Sequence, residues 1–452
     1  MKKTLRILGG LVVLGVLALL AFIFVPVKLT PPSEVLPADW KAEPGRGEYV
    51  MRASDCMACH TADGGAPFAG SRPIHSPLGT IWTSNITPDK ETGIGNWTLD
   101  QFRAAMIDGI SADGSHIYPA MPYENYRLMT EGDIRALYDY LMTEVEPVKN
   151  QVEETRLSFP FNLRFGLRAW NWLALRHDAG FTPAGTSPAQ DRGQYLVEGP
   201  AHCAACHSPR TTFMAQNGIQ LTDAKFLTGG VVDGWDAPSL RGAGSTPQKW
   251  SIAEMADYLA TGRNAHSTAN GEMTLVIEHS LQYLSDDDLH AIAAFLKGID
   301  GAKVELPGTA VAAAGPSAQP AAEADAAGAE TARMLTAASP EMPLGARLYL
   351  DNCAACHFVT GKGSPGIFPE LQANSMVVGS EVSPLISVIL HGASVPSTER
   401  RPMRLVMQGY ADRMDDEEVA ELANFLRTAW GNKASAITAA DVGKVRSAPL
   451  TH

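Results

Sequence analysis

From Ile7 to Val27 the chain runs through 21 positions without a charged residue, directly after Lys2, Lys3 and Arg6. A helix of about 20 apolar residues crosses the hydrocarbon core of a bilayer. Residues 1–32 are therefore expected to form a transmembrane helix or an export signal. A cleaved signal has a shorter apolar run ending in small residues, and Leu17 to Val25 offers no Ala-x-Ala site, so a single uncleaved N-terminal anchor is favoured. The basic flank leaves the N-terminus cytoplasmic and everything after Lys28 on the periplasmic side of the inner membrane. The competing reading, a cleaved signal, keeps that compartment and removes the tether.

Beyond the apolar run the pattern becomes amphipathic and repeats. Three segments, Thr130 to Met142, Ser285 to Lys297 and Asp415 to Thr428, each begin on a capping residue followed at the third position by an acid: Asp133, Asp288 or Glu418. This is the pattern of a capping box. Their apolar positions superimpose as Ile134/Leu289/Val419, Leu137/Ile292/Leu422, Tyr140/Phe295/Phe425 and Leu141/Leu296/Leu426, which is one buried helical face. Upstream of each, a second helix is predicted. It starts near Trp97-Thr98 or Trp250-Ser251 and stops at Gly109 or Gly262, with Gly392 ending the third copy. Arg-Gly-x-Tyr occurs at Arg46 to Tyr49 and again at Arg192 to Tyr195, in a further short helix.

The repeats predict an all-α fold of three small helical units in tandem, over 40–150, 186–304 and 341–432, preceded by the transmembrane helix. Residues 305–340, rich in Ala, Pro and Gly, read as a flexible linker. Residues 151–185 hold Phe159, Phe161, Phe165, Trp170 and Trp172 with several Arg, too aromatic for a free linker. Packing against the neighbouring units is the favoured reading of that segment; contact with a membrane surface or a partner subunit competes. Residues 433–452 form a short tail.

Composition adds limits. With 452 residues, 45% hydrophobic and 19% charged, the chain is an ordinary globular protein in bulk. A net charge of −13 excludes nucleic acid as a main partner.

The chemistry lies in the cysteines. All six fall in three copies of Cys-x-x-Cys-His, at Cys56/Cys59/His60, Cys203/Cys206/His207 and Cys353/Cys356/His357. Composition alone would give about 0.002 such matches, and this pentapeptide is the attachment site of c-type haem. Two cysteines at this spacing each form a thioether with a haem vinyl group, and the adjoining imidazole becomes the proximal ligand of the iron. A redox dithiol would not require the His, and a zinc site would need a second Cys pair nearby. Three covalently bound haem c groups are expected, no disulfide, and one unit per haem.

Whether such an iron carries electrons or binds small molecules depends on its sixth ligand. Met121, in Pro119-Ala-Met-Pro122, follows Gly109 by 12 residues; Met273 follows Gly262 by 11. Each lies between the two shared helices. In the third unit Met403 and Met407 both fit, and Met407 is favoured because it reaches Asp415 in 8 residues, against 9 from Met121 to Thr130. His391, His116 and His266 are left out of the ligand set, as are the histidines without a spacing signal.

Asp55-Cys-Met-Ala-Cys-His60, Thr83 to Asp89 leading into Gly93-Ile-Gly95, Tyr118-Pro-Ala-Met-Pro-Tyr123, His202 to His207, Ser285 to Leu289 and Trp430-Gly-Asn432 make the chain similar to a known family. It resembles the triheme cytochrome c subunits of membrane-bound alcohol, aldehyde and gluconate dehydrogenases of acetic acid bacteria and related proteobacteria. The resemblance implies three tandem cytochrome c-like domains, with Met121, Met273 and Met407 as sixth ligands. It also implies that a catalytic subunit oxidises a small alcohol, aldehyde or sugar acid in the periplasm, while this chain, with no substrate-oxidising site of its own, passes the electrons to ubiquinone. Met407-Gln-Gly-Tyr410 departs from the family's Met-Pro-x-Phe. The anchor is more like that of cytochromes paired with molybdenum and iron–sulfur aldehyde dehydrogenases than of those paired with quinoprotein alcohol dehydrogenases. The rival readings are a membrane-tethered peroxidase-like multihaem enzyme and a free-standing shuttle to a terminal oxidase.

Overall fold

A computed structural model describes residues 2–448 except 77, 177, 233–234, 302–303 and 305–321. Three helical units follow one another, each built from a leading helix, a haem-motif turn, a middle helix and a closing helix. The leading helices are Arg46–Ala53, Pro188–Glu198 and Leu344–Asn352. The middle helices are Leu99–Asp108, Ile252–Thr261 and Ser383–His391, and the closing helices are Glu131–Thr143, Asp286–Gly298 and Asp416–Thr428.

Local sequence explains the ends of these helices. Thr98 and Ser251 cap their middle helices with full capping boxes to Gln101 and Glu254, and Gly109 and Gly262 stop them in the left-handed region, which lacks a Cβ penalty. The closing helices start where expected, on Thr130, Ser285 and Asp415. Only Asp415 and Glu418 complete the reciprocal box, however. Asp133 and Asp288 are a methylene shorter than Glu, and their carboxylates turn instead to Arg46 and Arg192, both at 2.7 Å.

Each core forms where the leading helix crosses the closing helix. The crossing is so close that a Cβ on Gly47 would stand 2.4 Å from the Ala136 carbonyl oxygen, one on Gly193 2.0 Å from that of Ala291, and one on Gly345 2.2 Å from that of Glu421. Ile134, Leu137 and Leu141 with their counterparts Leu289, Ile292, Leu296 and Val419, Leu422, Leu426 are buried against it.

Units 1 and 2 lock together by exchanging tyrosines. Tyr49 donates its hydroxyl to Asp288 of unit 2, and Tyr195 donates to Asp133 of unit 1. Unit 3 meets unit 2 through residues 395–404: Arg401 pairs with Asp257 at 3.0 Å, and Arg404 and the Ser397 N–H both reach Glu278.

The structure departs from the expected all-α description at the edges. Among the described residues are seven short strands: a three-stranded antiparallel sheet of Pro73–Ser76, Gly79–Trp82 and Arg156–Leu157, and hairpins of Gly230–Val232 with Trp235–Ala237 and of Gly392–Ser394 with Val406–Gln408. The expected linker 305–340 needs correction too. Residues 305–321 lie outside the described residues, but Ala322–Ala337 is a helix whose Leu335 is buried in the third core. The expected tail 433–452 contains another helix, Ala439–Ser447, capped by Thr438, with Val442 buried and Arg446 paired to Asp416 at 2.7 Å. A few apolar side chains at helical spacing were enough to dock both segments, although Ala and Gly dominate the first by count.

The helix Lys2–Phe24 has a mean hydropathy of 2.9 over Arg6–Phe24, is exposed along most of its length and meets the rest of the chain at its C-terminal end, where Phe22 packs edge-on to Trp172. Immediately after it the chain is strapped to unit 1. Thr30 donates to Asp108, Ser33 to Glu131, and Arg103 both pairs with Glu131 at 2.7 Å and donates to the Thr30 and Pro31 carbonyls.

Candidate haem clefts

Each Cys-x-x-Cys-His lies on a one-turn helix: Cys56–His60, Ala204–His207 and Ala354–His357. In units 1 and 2 the chain enters that turn through a residue at positive φ, Asp55 at 52° and His202 at 38°; in unit 3 the positive φ comes after the motif, at Phe358. In units 2 and 3 both thiols and the imidazole of the motif line a common cavity.

The imidazoles share one geometry. His60 Nδ1 lies 2.7 Å from the Ser84 carbonyl, His207 Nδ1 2.8 Å from that of Pro238, and His357 Nδ1 3.1 Å from that of Pro369. A carbonyl only accepts, so Nδ1 carries the proton and Nε2 keeps its lone pair for a metal. Burial lowers the pKa of all three rings, the carbonyl bonds opposing it, which keeps them neutral and ligand-competent. These carbonyls escaped the sequence reading because they lie 24, 31 and 12 residues beyond the His, with no common spacing.

The candidate methionines meet the motifs in the same clusters. Met121 packs in one apolar cluster with Cys56, Met273 with Cys203, and Met407 with Cys353. The local structures differ: Met121 is in a turn, Met273 in the first turn of the helix Glu272–His279, and Met407 in a strand paired to Ala393. Met403 is 70% exposed, and its carbonyl accepts from Arg263. His266 is held between Glu254 at 3.0 Å and Glu370 at 3.6 Å, and His391 ends its helix at the surface.

The clefts of units 2 and 3 open into one cavity of ≈ 660 Å³, lined by Cys203, Cys206, His207 and Met273 from one side and Cys353, Cys356, His357 and Met407 from the other. Unit 1 approaches unit 2 close to their motifs, with Arg72 reaching Glu272 at 4.0 Å. Tyr126 donates to the Ser54 carbonyl at 2.7 Å and packs edge-on to His202, whose pKa burial lowers to about 4. Unit 2 thus stands between the other two. An apolar slot with two thiols, a neutral imidazole and a thioether is the donor set of a six-coordinate c-type haem, and the residues fit that group.

The architecture and the motif turns define a haem-binding electron-transfer protein, and the chain belongs to the cytochrome c family, whose profile matches residues 45–144, 190–300 and 343–430. Covalently bound haem c is the cofactor of that family. Over 410 residues the chain is 40% identical to the "Alcohol dehydrogenase (quinone), cytochrome c subunit" of Gluconacetobacter polyoxogenes, covering 89% of this chain and 83% of that one. It is 38% identical to the "Gluconate 2-dehydrogenase cytochrome c subunit" of Pantoea cypripedii, covering 89% of each, and 37% identical to the "Fructose dehydrogenase cytochrome subunit" of Gluconobacter japonicus, covering 92% and 85%. It is a cytochrome c subunit of the membrane-bound dehydrogenase kind, and its work is electron transfer.

Proposed function

We propose that this chain binds three haem c groups and conducts electrons from a catalytic subunit that oxidises a small alcohol, aldehyde or sugar acid to ubiquinone in the inner membrane. The observation that supports it most is the threefold recurrence of a carbonyl-bound His and a Met in one cluster with the motif's first Cys. In this reading Cys56, Cys59, Cys203, Cys206, Cys353 and Cys356 form the thioethers, His60, His207 and His357 give the proximal nitrogen, and Met121, Met273 and Met407 close the distal side. Haem c supplies one-electron chemistry between ferric and ferrous iron. His60, His207 and His357, each held by a backbone carbonyl, and Met121, Met273 and Met407 would hold the iron through ligands that change little when its charge changes. Lys2–Phe24 is the retained anchor and the three units lie in the periplasm.

Mild-detergent purification tests the reading. The expected product is a complex with a dehydrogenase catalytic subunit, in which this chain is heavier than its sequence by three haems. Its reduced spectrum should be wholly low-spin and unchanged by carbon monoxide. A haem that binds carbon monoxide would mean an open distal site and a peroxidase-like enzyme; a chain that purifies alone would mean a free shuttle. The cofactor of the co-purifying subunit, molybdenum or quinone, names its class.

A further inference from the structure

The segment joining units 1 and 2 has two faces. Its helix Leu167–Ala174 turns Asn171 and Ala174 into unit 1: Tyr123 donates to Asn171 Oδ1 at 2.9 Å, Asn171 donates to the Asp108 carbonyl, and Trp170 packs edge-on to Tyr123. The other face is open. Phe159, Phe161, Phe165, Trp172 and Leu173 are exposed there, Phe159 by 78% and Trp172 by 66%. Phe213 of unit 2 extends the patch, its carbonyl accepting from Trp170 Nε1 at 2.7 Å.

Two observations say what covers this face. The first is continuity with the apolar N-terminal helix. Trp172 meets Phe22 edge-on at 5.3 Å, and Arg168 donates to the Phe22 and Val25 carbonyls at 2.7 and 2.6 Å while lying over the Phe22 ring. The patch is therefore at the depth where a spanning helix leaves the hydrocarbon. The second is charge. In a chain of net charge −13, residues 155–177 contain Arg156, Arg164, Arg168 and Arg176 and no acid. Aromatic rings with interleaved Arg suit the boundary between acyl chains and anionic headgroups.

We propose that the exposed face of residues 159–173, with Phe213, is a second, monotopic membrane contact that lies in the lipid interface beside the anchor. It rests on the reading of Lys2–Phe24 as a retained span. The contact holds unit 1 against the bilayer in a fixed orientation, with the Tyr118–Tyr123 loop that carries Met121 directly behind the interfacial helix.

Nitroxide labels on Phe159→Cys, Trp172→Cys and Phe213→Cys test it, with Lys433→Cys on unit 3 as the aqueous control. The full-length, haem-loaded protein is reconstituted in its oxidised form into vesicles of phosphatidylcholine and phosphatidylglycerol. Relative to a water-soluble nickel chelate, oxygen should reach the first three labels at least about threefold more readily than the control, as for groups sunk into the acyl boundary. Labels at 159, 172 and 213 that match the control overturn the proposal. So do labels that are aqueous in vesicles and become shielded only when the dehydrogenase catalytic subunit is added, since the face would then be a protein interface. Intact mass shows whether residues 1–32 are retained and how many haems are attached. Failure of the patch is thereby distinguished from failure of the anchor or of the haem assignment.

Discussion

In units 1 and 2 the acid at the third position of the closing helix is shared between units: Asp133 takes Arg46 from its own unit and Tyr195 from the other, and Asp288 takes Arg192 and Tyr49. In unit 3 the same position, Glu418, folds back on its own cap, and the place of Tyr49 and Tyr195 is taken by Arg347. What units 1 and 2 obtain from each other, unit 3 obtains from its flanks. Ala322–Ala337 packs on its C-terminal turn, where Thr331 Oγ1 accepts from the Trp430 N–H at 3.1 Å, and Ala439–Ser447 covers its closing helix. A haem domain of about 100 residues has a small core, and burying one more face is what stabilises it. Two routes to that end occur in one chain.

The comparison breaks first at the glycine crossings. Gly193→Ala drives a methyl to 2.0 Å from the Ala291 oxygen and Gly345→Ala one to 2.2 Å from the Glu421 oxygen, both backbone atoms that cannot swing away. Each should cost about 3 kcal/mol, the upper end for overpacking. Their reach should differ. Calorimetry with limited proteolysis should show Gly193→Ala weakening units 1 and 2 together and Gly345→Ala weakening unit 3 alone; a Gly193→Ala loss confined to unit 2 would show that the pairing has no energetic consequence.

The tyrosine exchange is the next test. Tyr49→Phe and Tyr195→Phe each remove a hydrogen bond to a charged carboxylate, worth about 1.5–3 kcal/mol. Arg46 and Arg192 stay in place, so the acids are not left unpaired and the lower figure applies. Unfolding by denaturant should show both losses in the transition of units 1 and 2, while unit 3 is unmoved.

Much of this was legible in the sequence because it is written in short-range chemistry. Cys-x-x-Cys-His, the caps at Thr98, Ser251, Thr130, Ser285 and Asp415, and the glycine stops depend on neighbours within a turn or two. The tyrosine exchange was not, although Arg-Gly-x-Tyr repeated in plain view: Tyr49 and Asp288 are 239 residues apart, and no local pattern says which unit a side chain will serve. The same is true of the His carbonyl partners, set by loops of unequal length. The docked flanks of unit 3 were missed for a third reason, that composition hides the one or two side chains, Leu335 and Val442, that decide docking. Aromatic content at 151–185 did predict packing, but for only one face of the segment.

A smaller effect comes from a buried acid at the seam. Glu124 accepts from the Gln216 N–H of unit 2, and burial raises its pKa from 4.5 to about 7, with Arg210 opposing. The folded state holds this proton more tightly than the unfolded chain. The stabilisation is therefore complete below about pH 4.5 and lost as pH rises through about 7. Units 1 and 2 should lose on the order of 1 kcal/mol between about pH 5 and about pH 8, and Glu124→Gln should flatten that slope. A slope that survives the substitution would place its origin elsewhere, with Glu198, raised to about 7 by burial, as the next group to change.

The smallest effect concerns how unit 3 is held to unit 2, through charges rather than a shared core. Arg401 with Asp257 and Arg404 with Glu278 are partly exposed pairs, which contribute about 0–1 kcal/mol each and weaken with salt. His266 of unit 2 lies between Glu254 and Glu370 of unit 3, and its pKa is raised by the bond to Glu370, against burial, with help from Glu254. A base with a raised folded pKa stabilises fully below about 6.5 and ceases to as pH climbs past its folded value. Alkaline pH and about 1 M salt should therefore loosen the 2–3 contact by less than about 1 kcal/mol, while the tyrosine-locked 1–2 seam responds far less to salt. Protease susceptibility of the 395–404 loop reads this directly, and His266→Gln should remove the pH part and leave the salt part. Equal salt sensitivity at both seams would mean that the exchanged tyrosines act as surface polar contacts, and that the two routes to stability are one.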